Sequence, residues 1–405
     1  MDSKIIAIIA VVAVVAAGVG IYVVTDIGDD DSSSTAGMHF TDAVGRDVVA
    51  PDNLKNGIVA VGSIGPLRIL SMFDAAEKVI ECDKGDVTDS KNGRAYSYAW
   101  DYDKLTSYHD DNKLESATVE KIAEKHPSLV IVGNNIWTNY QTNVELLAKA
   151  CTVIVLYNQT MATMWDDNNK LEATLRDNIK LVGNMVNESS RADKVIKGIE
   201  DIMDDIRAHT GTSDKYVYVA GVTISGSNTF NTTFPTYLPF KLIGAKNAYV
   251  GGSTSSKVTI PVESFSDASV IHSPDLIVID PSSSDKIKEL DSQNSLKYFF
   301  DNAPSTPMYI TMPIVWDSIN YDCALASAYY IEALLYGTLS VDEVKEKINN
   351  IFKVFYGKEH GKKVYDSMVT FFEGKSSTNG VEFPLLSQVH IVYENSKYTV
   401  KAGAA

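Results

Sequence analysis

Arginine is scarce in this chain, six in 405 residues, and the formal net charge is −16. So acidic a body lacks the basic face that nucleic-acid binding needs, and it gains nothing from anionic lipid headgroups. Cysteine is scarcer still. Cys82, Cys151 and Cys323 show no CxxC spacing, so they indicate no zinc site, redox motif or disulfide framework and read as buried small apolar residues. The seven histidines include no i, i+4 pair, which removes a helix-borne zinc site of the HExxH type. No G-x-x-x-x-G-K-[ST] loop exists. The only G-x-G, at Gly18 and Gly20, lies in an apolar N-terminal run, so a dinucleotide fingerprint is missing too. Ser225-Gly226 is half of a nucleophile elbow without its G-x-S-x-G frame. The sequence therefore names no catalytic residue, metal ligand or cofactor and points to a binder.

One long apolar run is present. Residues 5–24 carry no charge and suffice to span a bilayer, whereas a secretory core is usually only about 7 to 15 residues. An uncleaved anchor is expected, with Ala16, Ala17 and Gly18 leaving cleavage open. No cysteine follows, which excludes a bacterial-type lipid anchor. Lys4 on one side and Asp26, Asp29, Asp30 and Asp31 on the other place the body outside the membrane. The segment DDDSSSTAG then reads as a tether. Asn158, Asn187 and Asn231 stand in N-x-S/T sequons compatible with surface glycans.

The rest of the chain is organised around residues 190–209, SRADKVIKGIEDIMDDIRAH. Val195, Ile196, Ile199, Ile202, Met203 and Ile206 recur at three- and four-residue steps, one face of a helix about 30 Å long. Ser190 with Asp193 resembles a capping pair, and Gly211 a stop signal. Similar units flank this helix. SATVEKIAEKHPSLVIVGNN precedes it and VESFSDASVIHSPDLIVIDPSS follows, each a helical run, a proline and an apolar strand. Strands apolar on both faces belong in parallel sheets covered by helices, so two similar lobes are expected.

In the first lobe, HFTDAVGRDVVAP predicts a hairpin and IVAVGS a buried strand. Pro66 opens the helix PLRILSMF, whose start beside Arg68 reads either as an anion site or as a plain strand-helix turn. Residues 92–109, NGRAYSYAWDYDKLTSYH, lack periodicity and read as a loop, with tyrosines that either touch a ligand or pack beneath the loop. The second lobe starts with YVYVAGV and closes with helices over residues 323–335, 341–355 and 362–372. VHIVYE and KYTVKA form a terminal hairpin of unassigned place.

The succession DxxGRxVxxP, GxxGPLRIL, VEKIAEKHPSLVIV, LRDNIKLVGNMVNESSRADKVIKGIEDI, and VESF with SPDLIVI resembles the helical-backbone class of ABC-transporter substrate-binding proteins, the iron-siderophore, haem and cobalamin receptors. It spans roughly residues 38 to 355. The resemblance implies an α/β fold of two Rossmann-like lobes joined by one long helix and preceded by the transmembrane anchor. The divisions are residues 1–37 for anchor and tether, 38–189 for the N-terminal lobe, 190–211 for the linking helix, 212–374 for the C-terminal lobe and 375–405 for a tail. It implies a monomer that binds an iron(III) chelate between the lobes and passes it to an ABC permease and its ATPase. Corrinoid or haem is the alternative cargo; an extracellular enzyme or metal-centre scaffold, or an interaction protein with a vestigial cleft, is the alternative class. By position, cleft contacts would come from Arg68, Arg94, Tyr96, Tyr98, Tyr108, Asn134 and Trp137 in the first lobe and Asn228, Phe230 and Trp316 in the second. Family members carry a permease-docking carboxylate on each lobe; this chain aligns Gln141 and Thr233 there, with Glu145 nearby.

Overall fold

The computed structural model describes residues 34–62, 65–88, 93–158, 164–166, 170–222, 229–252, 257–283, 287–316, 318–379 and 382–404, with the side chains of 375–379 left out. Among these, no helix is long and apolar enough to cross a membrane; the anchor expected at residues 5–24 lies outside them.

Two parallel sheets form the lobes. The first has the order Tyr108–His109, Val79–Asp83, Ile58–Val61, Leu129–Gly133, Thr152–Leu156. Along its central strands Ile58, Ala60, Leu129 and Ile131 join one buried cluster while Val59, Val61, Val130 and Val132 join another. Both faces are thus dry, as a covered parallel sheet requires. In the second sheet Lys246–Asn247, Tyr216–Ala220, Leu276–Ile279 and Met308–Ile310 run parallel. Gln388–Glu394 and Lys397–Ala402 then extend it antiparallel. The terminal hairpin is therefore part of the second lobe. Its outer edge is blunted: the Gln293 side chain accepts from Tyr398 N at 2.8 Å and donates to Tyr398 O at 2.9 Å, and Glu382 N donates to Val400 O. Such cover removes an edge open to pairing with another chain.

The expected spine helix is Ser189–His209, with Val195, Ile196, Ile199, Ile202, Met203 and Ile206 all buried. It packs on Ala173–Met185 of the first lobe and on Tyr321–Tyr336 and Val341–Tyr356 of the second. Mid-helix Gly198 permits that approach, since a Cβ there would lie 2.6 Å from Val354. The Ser190–Asp193 cap does not form. The helix begins one residue earlier, and Glu188 instead accepts from the amides of Asp74 and Ala75 at 3.0 and 2.7 Å, tying the spine to the first lobe.

The two flanking units differ more than their sequences suggest. The first contains the helix Ser116–Glu124, whereas the second makes only a 3-10 turn, Val262–Ser266. Ser266 Oγ bonds back to Glu263 O, and Asp267 accepts from Ser269 N at 2.9 Å. Local bonds of this kind compete with helix.

Candidate functional site

The lobes meet at a seam beyond the carboxyl ends of their strands. Helix Pro66–Leu70 follows strand Ile58–Val61 after a short connection, with proline at its first turn, and aims Arg68 across the seam. The guanidinium Nη1 donates to the carbonyl of Ile319 and to Asn320 Oδ1 at 2.6 Å, while Nη2 lies 3.4 Å from Trp316 O. Its carbon sits 5.2 Å from the Tyr96 ring centroid. Asn320 returns the contact, with Nδ2 donating to Gly93 O at 2.8 Å and to Pro313 O at 2.7 Å. The Trp316 indole lies against Gly93 so closely that a Cβ there would be 2.2 Å from the ring, which only glycine tolerates.

Charges at the seam are balanced within the protein. Arg94 Nη1 donates to Gly85 O at 2.8 Å and lies 3.4 Å from Asp86, which also accepts from Tyr96 Oη at 2.6 Å. Burial drives the Asp86 carboxyl upward, Arg94 and the Tyr96 bond pull it back, and the result is a group pushed up to about 6. Across the seam Asp322 is likewise raised by burial and moderated by the Tyr356 hydroxyl and the charge of Arg68. Two guanidiniums thus face two carboxyls. A strand-end aspartate in each lobe also braces the surrounding loops. Asp83 accepts from Gly62 N and Asn112 N, both at 2.8 Å, and Asp280 from Ser282 N at 2.9 Å and Ile314 N at 3.0 Å. Burial pushes Asp280 up to about 7.

Of the residues expected in the cleft, the structure brings Arg68, Arg94, Tyr96 and Trp316 together. The expected loop over residues 92–109 is instead helix Tyr96–Ala99, a 3-10 turn Tyr102–Lys104 and strand Tyr108–His109, described from Gly93 onward. Tyr96, Tyr98, Trp100 and Tyr102 are buried in it. Tyr98 meets Phe371, with centroids 6.3 Å apart. Tyr108 lies apart on the sheet's edge strand, 48 % exposed. Asn134 starts the helix Asn134–Leu147 and accepts from Thr138. Trp137, on that helix, packs on the outer core under Arg46, 5.0 Å from its ring centroid. Phe230 is fully buried among Tyr218 and Phe299 in the second lobe. Asn228 lies outside the described residues. Asp86, Gly93 and Asn320 had not been singled out; the one signal was Asn320, a helix-start residue before Tyr321 whose side chain makes no cap.

Gln141 is exposed and donates to Glu145 at 2.8 Å, whereas Thr233 is fully buried and closed to any protein partner. Asn231 is also buried, its Nδ2 donating to Ile260 O at 2.9 Å, so this sequon is inaccessible in the fold. Away from the seam, His109 bonds Glu81 at 3.0 Å and Asp83 at 2.8 Å beside an open groove of ≈ 720 Å³. Burial opposes the charge on His109, but the carboxylates outweigh it and push the imidazole up to about 9. Among the described residues no group of three or more His, Cys, Asp and Glu is placed to hold a metal ion.

A helix-linked pair of covered sheets meeting at their strand ends puts the crevice where open α/β sheets bind ligands between the two lobes. The family model described as periplasmic binding protein matches residues 59–297, and the chain belongs to that family. It is an ABC-transporter substrate-binding protein of the helical-backbone class, with an extracytoplasmic body. Solved structures share the fold at low identity. The periplasmic solute binding protein of Veillonella parvula DSM 2008 is 14% identical, with 84% of this chain and 98% of that one covered and a TM-score of 0.55. The molybdate periplasmic binding protein MolA of Haemophilus influenzae, bound to molybdate, gives 15%, 79% and 98%, and 0.57. Helicobacter pylori CeuE, solved as a Ni-His complex, gives 14%, 81% and 98%, and 0.51. No curated protein matches by sequence.

Proposed function

We propose that the chain is the receptor of an ABC importer for an iron(III) chelate of siderophore type, taken into the interlobe cleft and delivered to a separate permease and its ATPase. It works as a monomer held at the membrane by residues 5–24. The observation that carries the reading is the meeting of Arg68 and Tyr96 from one lobe with Trp316 and Asn320 from the other, where ligands of open α/β sheets bind. Asp86 and Asp322 offset the two guanidiniums, so the half-buried face of Trp316 lies on nearly neutral ground. A ferric chelate suits such a site because the metal neutralises the chelator's anionic donor atoms. The similar folds solved with molybdate and with Ni-His support a metal-bearing cargo.

A corrinoid would rely on Trp137, Phe230 and Trp316 for stacking. Phe230 is inside the second lobe's core and Trp137 lies under Arg46, which leaves only Trp316. Titration of tryptophan fluorescence with ferric chelates, haem and cobalamin tests the reading. A ferric chelate should quench with Kd below about 10 µM, roughly −7 kcal/mol, and Trp316→Phe should remove most of the signal. Tighter binding of cobalamin or haem would transfer the assignment to the macrocycles.

A further inference from the structure

We infer that residues 357–374 are a strap that holds the two lobes together, a second tie besides the spine helix. The strap is rooted in the helix Val341–Tyr356, which is fixed to the spine at mid-length and at its C-terminal end. At mid-length Lys347 bonds Asp205. At the C-terminal end, Arg191 Nη2 donates to Val354 O at 2.7 Å and Phe355 O at 3.1 Å, while its Nε reaches Met72 O of the first lobe at 3.1 Å. A guanidinium on the last carbonyls of a helix is doubly favoured, by hydrogen bonding and by the helix dipole.

From that root the chain crosses to the first lobe. In the short helix Lys358–Gly361, the His360 ring stacks on Trp100 at 3.8 Å and 23°, and His360 Nδ1 donates to Ala99 O at 3.2 Å. Helix Val364–Asn379 then lies over Tyr96–Ala99, with Val364, Met368 and Phe372 fully buried. Four rings make an unbroken path between the lobes: Tyr98 to Phe371 at 6.3 Å, Phe371 to Phe372 at 5.3 Å and Phe372 to Trp316 at 6.3 Å, all three pairs edge-on. Edge-to-face contacts at these separations are the favoured aromatic geometry. The strap therefore closes one side of the seam, leaves Tyr98 no free face there, and sets the position of Trp316. The angle between the lobes is held at the spine, the seam and the strap.

Amide hydrogen exchange on the full chain tests this. In the double variant Phe371→Ala, Phe372→Ala, residues 94–104 should exchange at least about tenfold faster while the spine helix keeps its wild-type protection, because local opening follows the contacts removed. Phe371→Leu, Phe372→Leu should restore part of the protection. Unchanged exchange over 94–104 in the alanine variant would overturn the inference. Should that variant not fold, the wild-type protein decides: with rising denaturant, residues 94–104 and 358–374 should open as one unit, and release of 358–374 with 94–104 still protected would overturn it.

Discussion

Replacing Arg94 with methionine is expected to lower stability by about 3–5 kcal/mol, the loss typical when one member of a buried ion pair is removed. Asp86 would keep the Tyr96 hydroxyl but lose its countercharge. The pH dependence separates this from simple loss of packing. Asp86 is raised to about 6 in the folded state, so the native protein binds its proton more tightly than the unfolded chain does. Stability therefore falls as pH climbs from about 4, the ordinary aspartate value, through about 6. Without the guanidinium the folded-state value moves higher and this window widens upward. The deficit relative to wild type should be smallest below pH 4 and largest at pH 7. Asp86→Asn with Arg94→Met should recover much of the loss, since paired groups are not additive. Urea unfolding at both pH values measures this; an equal deficit at each would contradict a functioning pair.

Asn320→Ala is expected to cost about 3–5 kcal/mol as well, from several buried groups left without partners at about 1–3 kcal/mol each. It removes an acceptor from Arg68, whose Nε already has none, and strips donors from the carbonyls of Gly93 and Pro313. Asn320→Asp keeps the bond from Arg68 but turns an acceptor oxygen onto the carbonyls of Gly93 and Pro313, so it should not restore wild-type stability. Because Asn320 spans the seam, the alanine variant should also weaken solute binding. Thermal unfolding and fluorescence titration of the same samples read both; full stability with intact binding would show that the seam contacts contribute nothing.

The fold was legible where periodicity reports directly on burial. The spine's apolar face and the strands feeding from Pro127 and Pro274 are local patterns, and both sheets follow from them. The seam was legible only in part. Arg68 could be placed because it follows a strand and a proline-started helix, but its partners Ile319 and Asn320 lie some 250 positions away. Nothing local announces such a pairing. Residues 92–109 misled for the same reason: Tyr98 and Trp100 look coreless until Phe371 and His360, contributed from the far end of the chain, cover them. Phe230 misled in the opposite sense, being a strand-end aromatic whose side chain turns into the second lobe. The tail could not be placed because strand Gln388–Glu394 pairs with Met308–Ile310 across a long connection.

The central claim, a metal chelate held between the lobes, is tested most directly by native mass spectrometry of the full chain purified from its own cells. One bound small molecule per protein is expected, carrying the iron isotope pattern and lost from the Trp316→Phe variant more readily than from wild type. A metal-free solute at full occupancy would contradict the chelate assignment and leave only the solute-receptor fold.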